Sequence, residues 1–90
     1  LFSEGSERPG VFIIQEILEY ISTVVPEIPY VQSDGTFGPE TTAAVKAFQR
    51  AYGLVANGIV DEETWNKMIT VYRQLRFGNT TSPSPNTDAS

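Results

Sequence analysis

The side chains that could do chemistry in this sequence are carboxylates, hydroxyls, amides and aromatic rings, because the chain contains no histidine and no cysteine. The lack of histidine excludes Ser-His and Cys-His catalysis, imidazole metal sites and a histidine pH switch. The lack of cysteine excludes a disulfide scaffold and thiolate metal sites. Any catalysis would therefore have to use carboxylates.

The carboxylates are not arranged as an active site would require. A glycosidase holds two of them roughly 5–10 Å apart across a cleft, one with a raised pKa. Here most of the acids fall at predicted helix starts or at exposed helical positions, where capping and the helix dipole account for them. These acids are Glu16, Glu19, Glu40, Asp61, Glu62 and Glu63. The segment 34–40 also lacks the alternating oxygen ligands of an EF-hand. We predict a protein that is not an enzyme, with no catalytic residues, no metal and no cofactor.

The charge balance excludes two further classes of partner. Six basic residues stand against 11 acidic ones, which gives a formal net charge of -5 and a pI of about 4.4. Binding to nucleic acid or to anionic lipid needs a surplus of lysine and arginine, and this chain has a deficit. No segment approaches the roughly 20 apolar residues that span a bilayer. We therefore expect neither nucleic acid nor a membrane as a partner.

Three segments with helical periodicity must position whatever site exists. The first lies between Pro9 and Pro26, the second follows Gly38 and stops at Gly53, and the third begins with Asp61 as its N-cap. Apolar residues recur at spacings of three and four in each segment. They are Val11, Ile14, Leu18, Ile21 and Val25, then Ala44, Val45, Phe48 and Tyr52, then Trp65, Met68, Ile69, Tyr72 and Leu75. The pattern predicts an all-α fold, a compact three-helix bundle.

The loops that precede the second and third helices repeat one another. Residues 34–41 match residues 57–64 at an offset of 23. Each loop begins with an Asp-Gly or Asn-Gly turn dipeptide, in which the short side chain caps local amides and glycine accepts a positive φ. An apolar residue follows two positions later, Phe37 or Val60, and is predicted to be buried. The bundle therefore has two repeated Asp/Asn-Gly turn loops.

The two ends of the chain differ from its middle in composition. Residues 1–8 are predicted to be a flexible N-terminal segment, and residues 9–76 are the folded domain. Residues 77–90 are rich in serine, threonine and proline and are predicted to be a disordered tail or linker. The chain begins with Leu1 rather than methionine, so we interpret it as part of a longer protein. Any signal peptide would then precede it.

The motifs in residues 34–68 closely resemble those of the three-helix peptidoglycan-binding domain that is appended to bacterial and phage cell-wall hydrolases. Including the first helix, where Gln15 and Leu18 fall in the family's Leu-Gln-x-x-Leu region, the resemblance covers about residues 8–72. Asn57 stands where Asp is commoner in the family, and Asp61 stands where Gly is commoner. The connection after the first helix is longer than usual. The remaining motif positions are Asp34, Gly35, Phe37, Gly38, Thr41, Ala44, Val45, Phe48, Gln49, Gly53, Leu54, Gly58, Val60, Thr64 and Trp65.

The resemblance implies a binding function. We expect a non-catalytic module that anchors a larger protein, a cell-wall hydrolase, to bacterial peptidoglycan through its stem peptide, its glycan or both. The expected partners are peptidoglycan and a covalently attached catalytic domain, the expected location is extracellular or in the cell wall, and the expected state is a monomer. The fold also resembles the helical part of matrix metalloproteinase propeptides, whose inhibitory cysteine is absent here. The alternative is therefore a propeptide-like or protein-interaction domain that packs against a neighbouring catalytic domain.

Three candidate contact residues are exposed or aromatic. Tyr30 lies in a proline-bounded loop where a core residue is not expected, and it is the leading candidate for a wall contact. Thr36 follows the first turn glycine, and its hydroxyl is predicted to point outward. Trp65 either plugs the core or exposes an edge for stacking on a sugar or a lactyl-peptide group.

Three further candidates have polar side chains, and each side chain has two possible roles. Asp34 is expected to cap its turn, with ligand contact as a second role. Gln49 lies at the edge of the buried face, where its amide either satisfies loop backbone groups or contacts the ligand. Arg50 belongs either to a solvated helix face or to a site for a stem-peptide carboxylate. The six candidate ligand-binding residues are Tyr30, Asp34, Thr36, Gln49, Arg50 and Trp65.

Overall fold

The computed structural model describes residues 2–5 and 9–78 of the chain. These residues form three helices: α1 (Pro9–Val24), α2 (Pro39–Ala51) and α3 (Glu62–Phe77). Within the described ranges the extended structure is one isolated β-bridge, between Phe2 and Val60. The predicted all-α three-helix architecture is confirmed.

The helix boundaries follow from local chemistry. Pro39 occupies the first turn of α2, where its missing N–H costs nothing. Asp61 caps α3 by accepting a hydrogen bond from the Thr64 N–H at 2.9 Å, as predicted. The last helix extends through Phe77, which the sequence had assigned to the tail. The rest of the predicted tail, from residue 79, lies outside the described residues.

The core forms where α1 packs against both α2 and α3. The side chains predicted to be buried on the helical stripes and in the loops, Phe37, Phe48, Val60 and Met68, are each at most 1% exposed. Burial of a phenylalanine side chain contributes about 1.5–3 kcal/mol, so Phe37 ties its loop firmly to the bundle. Ile28 and Val31 are also buried, and they anchor the connection between α1 and the first turn loop.

The N-terminal segment contacts both turn loops. The N–H of Phe2 donates to the Val60 carbonyl at 3.0 Å, and the Val60 N–H donates back at 2.7 Å. The Gly5 N–H donates to the carbonyl of Phe37 at 2.7 Å. Residues 2–5 therefore bond to the same position in each repeat, although the sequence placed them in a flexible segment.

No helix in the described part of the chain is long and apolar enough to cross a membrane.

Candidate ligand-binding surface

The first turn loop is organised around the side chain of Gln15, which lies on α1 and is fully buried. Its Nε2 lies 3.0 Å from Asp34 Oδ1, 2.9 Å from the Thr36 carbonyl and 3.0 Å from Thr41 Oγ1. Its Oε1 accepts a hydrogen bond from the Gly35 N–H at 2.8 Å. One amide therefore satisfies the turn side chain, two backbone groups and the first helical threonine.

The second turn loop has the same arrangement around Gln49 of α2, which is 1% exposed. Its Nε2 lies 3.2 Å from Asn57 Oδ1, 3.1 Å from the Ile59 carbonyl and 3.2 Å from Thr64 Oγ1. Its Oε1 accepts from the Gly58 N–H at 2.9 Å. The two loops are thus repeats in structure as well as in sequence, and each is held by a glutamine of the preceding helix.

The two turn side chains act as caps, as predicted. Asp34 Oδ1 accepts from the Thr36 N–H at 3.0 Å, and Asn57 Oδ1 accepts from the Ile59 N–H at 2.9 Å. Both turn glycines have positive φ, +84° at Gly35 and +77° at Gly58. A Cβ at Gly58 would in addition lie 3.0 Å from the side chain of the α2 residue Thr42, so a substitution there is both crowded and strained.

Of the two roles considered for Gln49, its hydrogen bonds match the one in which the amide satisfies loop backbone groups. The equivalent role of Gln15 is not apparent from the sequence pattern alone. The two glutamines share one sequence feature: Ile14-Gln15 and Phe48-Gln49 each place a glutamine directly after a buried apolar residue, ahead of an Asx-Gly turn. The separations differ, since Gln15 precedes its Asx residue by 19 positions and Gln49 by 8. This difference hides the repeat.

A groove of about 420 Å³ lies beside the first turn loop. Three of the six candidate residues, Tyr30, Asp34 and Thr36, line it. The other described residues of its lining are Val31, Gln32, Gly38, Pro39, Glu40 and Thr41. One wall is the α1–α2 connection, and the other is the turn loop with the start of α2. The groove therefore brings together half of the predicted contact residues.

Tyr30 is held at this groove by Glu19 of α1. The side chain of Tyr30 is 63% exposed, and its hydroxyl donates to Glu19 Oε2 at 3.0 Å. The other carboxylate oxygen, Oε1, accepts from Ser33 Oγ at 2.9 Å. The sequence pattern indicates only an exposed helical acid at Glu19. Its spacing of four residues from Gln15, which puts both on one face of α1, was the available signal.

The other three candidate residues lie elsewhere. Arg50 lines a separate pocket of about 410 Å³ with Tyr52 and Glu27, and Trp65 lines one of about 280 Å³ with Phe2. Gln49 lines neither, because it is buried in the second loop network. Trp65 and Tyr52 are both partly buried against the core, so each exposes part of its ring. The structure thus divides the six candidates among three surfaces and the interior.

A family model described as "Putative peptidoglycan binding domain" matches residues 7–68. The chain belongs to this family. The match covers both turn loops, both glutamines and the groove beside Tyr30.

Two relatives resemble this peptidoglycan-binding domain over part of their length. A zinc D-Ala-D-Ala carboxypeptidase of Streptomyces albus G is 60% identical over 35 residues, which are 39% of this chain and 14% of that protein. A Kitasatospora aureofaciens protein, described as an uncharacterized protein in the bpoA1 3' region, is 54% identical over 69 residues. Those residues are 76% of this chain and 54% of the relative. No solved structure matches significantly.

Hydrogen bonds shift three pKa values in the peptidoglycan-binding domain. The Thr36 N–H, with help from the Gln15 amide, lowers the pKa of Asp34 below its ordinary value of 3.8. The Thr64 N–H, and then the Thr64 hydroxyl, lower the pKa of Asp61 in the same way. The hydrogen bond to Glu19 raises the pKa of Tyr30, because it stabilises the neutral phenol.

The residues that the structure describes contain no group of three or more side chains able to hold a metal ion.

The lowered pKa of Asp34 predicts a specific acid sensitivity. Stability from its carboxylate is present above pH 3.8, the unfolded value, and is lost as the pH falls through the lower folded value. Asp34→Asn keeps the Oδ1 acceptor, as Asn57 does in the second loop, and removes the titrating group. We expect a folded variant whose unfolding midpoint changes less between pH 4 and about pH 2 than that of the parent.

Urea unfolding followed by circular dichroism at a series of pH values measures this change. Glu63→Gln is the matched control, because it removes one exposed carboxylate outside the turn. If Asp34→Asn retains the full acid dependence of the parent, the turn carboxylate is not the source of the sensitivity.

Proposed function

We propose that this chain is a non-catalytic module that anchors a larger protein to bacterial peptidoglycan, and that the groove beside Tyr30 is its binding surface. Membership of the peptidoglycan-binding family supports the ligand, because the matched residues include the groove. The observation that carries the choice of surface is the clustering of Tyr30, Asp34 and Thr36 around one concavity. An exposed aromatic ring beside polar groups suits a sugar or peptide ligand.

The groove is built to keep its shape, which favours binding. The Gln15 network fixes the turn loop from inside, and Glu19 fixes the connection through Tyr30 and Ser33. A preorganised surface loses little conformational freedom when a ligand binds. Weak sites of this kind suffice on a repeating polymer when an attached domain supplies a second contact.

The role of the larger protein is part of the same proposal. The carboxypeptidase relative is much longer than its matching segment, which supports an arrangement of this module beside a catalytic domain. We propose that the attached domain is a cell-wall hydrolase and that the module works outside the cell or in the wall. In this proposal the module itself is a monomer and carries out no reaction.

A second candidate function is packing against a neighbouring catalytic domain. It is favoured by an apolar groove of about 290 Å³ between α1 and α3, lined by Ile13, Ile69, Tyr72 and Phe77 among others. Phe77 is 68% exposed and Ile13 is 47% exposed, so apolar surface is available there. This surface is separate in its residues from the groove beside Tyr30.

Co-sedimentation with purified, insoluble peptidoglycan sacculi tests the proposed function. We expect the domain to pellet with sacculi at moderate salt, and a helical domain of similar charge to stay in the supernatant. Tyr30→Ala is expected to weaken binding by roughly tenfold, because it removes the exposed ring from the groove without opening the core.

Phe77→Ala is the matched control, since it removes an aromatic ring of similar exposure, 68% against 63%, from the other surface. Equal losses for the two variants would contradict the assignment of the groove. A parent domain that fails to pellet with any sacculi would remove peptidoglycan binding and favour the packing function.

A further inference from the structure

The groove beside Tyr30 carries negative charge. Asp34 and Glu40 are among its described lining residues, and that lining contains no lysine or arginine. The Glu19 carboxylate adds a third negative charge next to the groove, 3.0 Å from the hydroxyl of Tyr30. The whole chain has a net charge of -5, so no distant excess of cations offsets this local field.

This lining discriminates between the charged groups that peptidoglycan presents. A ligand carboxylate or phosphate would meet like charges, which costs binding energy. A ligand ammonium group would meet carboxylates and an exposed aromatic ring, and both attract a cation. Arg50, which the sequence suggested for a stem-peptide carboxylate, lines a different pocket.

The Asp34 carboxylate is oriented before any ligand arrives. The hydrogen bonds from Gln15 and from the Thr36 N–H both end on Oδ1. The carboxylate can therefore accept a further bond through Oδ2 without giving up its role in the turn. Tyr30 is likewise fixed by Glu19, so the ring and the carboxylate form two preset sides of one site.

We infer that the groove binds the primary ammonium group on the side chain of the stem peptide's diamino acid, where that amine is not cross-linked. The inference rests on the proposed function and names the part of the polymer that is recognised. It places the ammonium group between the ring of Tyr30 and the carboxylates of Asp34 and Glu40. The module then prefers peptidoglycan with few cross-links over the fully cross-linked polymer.

The test compares sacculi with free amines and the same sacculi after N-acetylation. Sacculi with direct cross-links and a fully N-acetylated glycan are used, so that the diamino acid is the source of the amines. We expect acetylation to weaken co-sedimentation of the 90-residue chain at least tenfold. Asp34→Asn and Glu40→Gln are each expected to weaken binding to the free-amine sacculi and to reduce the effect of acetylation.

A matched control separates the groove from general charge effects, because acetylation also makes the sacculi more negative. Glu63→Gln removes the same charge from the start of α3, outside the groove, and should leave both binding and the acetylation effect unchanged. Circular dichroism of each variant verifies that it is folded.

The possible results distinguish the two proposals. Equal binding to free and acetylated sacculi would overturn the ammonium site and leave wall binding intact. An effect of Glu63→Gln as large as that of Glu40→Gln would also overturn the site, because it would indicate bulk electrostatics. Binding to neither preparation would overturn the proposed function itself.

Discussion

Gln49→Leu is expected to lower the free energy of unfolding by about 3 kcal/mol, although leucine is apolar and the site is buried. Four hydrogen-bond partners lose the amide: Asn57 Oδ1, the Ile59 carbonyl, Thr64 Oγ1 and the Gly58 N–H. The Gly58 N–H is itself buried. Each polar group left buried without a partner costs about 1–3 kcal/mol, and the added apolar contacts of leucine offset only part of this.

Urea unfolding followed by helical circular dichroism measures this loss. In a domain of this size, 3 kcal/mol corresponds to a drop in melting temperature of about 12–24 °C. Gln74→Leu is the matched control, because Gln74 lies exposed on α3 and the change should stay within about 0.5 kcal/mol. A Gln49→Leu variant within 1 kcal/mol of the parent would show that the loop does not depend on the amide.

Much of the fold could be predicted from the sequence because its signals are local. Pro39 and Glu40 mark the start of α2, the Asp61 cap marks the start of α3, and the Asx-Gly dipeptides mark the turns. Such signals act within a few residues, where the backbone fixes the geometry. The burial of Phe37 and Val60 could be predicted for the same reason, because each residue lies two positions after the glycine of an Asx-Gly turn and shortly before a helix.

The candidate site could be predicted only in part because it depends on contacts that are distant in sequence. Gln15 meets Asp34 across 19 residues, and Glu19 meets Tyr30 across 11. Helical periodicity indicates which face is buried, but it does not indicate what a polar residue on that face will contact. Arg50 and Trp65 were grouped with Tyr30 on residue type, and the packing of the helices separates them.

The two repeats differ at positions that form the groove beside Tyr30. The connection that leads into the first turn spans residues 25–33, whereas residues 52–56 lead into the second. The longer connection brings Tyr30 to the first loop and forms a wall of the groove. The first turn also has a charged cap in Asp34, where the second has the neutral Asn57. We interpret the second repeat as a structural element that stabilises the bundle. We propose that the first repeat stabilises the bundle and also contacts the ligand.

The same difference between the caps predicts a stronger pH dependence in one of two glutamate variants. Gln15→Glu puts a second carboxylate in place of the amide that lies 3.0 Å from Asp34 Oδ1. Neither carboxylate can donate a hydrogen bond, and two like charges at this distance resist ionising together. Gln49→Glu meets the neutral side chain of Asn57 instead, so no neighbouring carboxylate opposes the new charge.

We therefore expect Gln15→Glu to be the more destabilised of the two at pH 7. The repulsion raises the pKa of the carboxyl pair in the folded state, so the folded variant binds more protons than the unfolded chain. Its stability should then rise as the pH falls from 7 toward about 4.5, and the gap to Gln49→Glu should narrow. In the parent, the lowered pKa values of Asp34 and Asp61 give no gain of this kind over the same range.

The experiment measures the unfolding midpoints of the parent and of both variants at several pH values between 7 and 4.5. The double variant Gln15→Glu with Asp34→Asn restores a neutral cap beside the new carboxylate, as in the second loop. This double variant should show neither the extra loss of stability at pH 7 nor the gain of stability on acidification. If the stability of the two single variants changed with pH in the same way, the Asp34 carboxylate would not lie close enough to residue 15 for its charge to matter. The first loop network would then lack the contact that corresponds to Gln49 and Asn57 in the second.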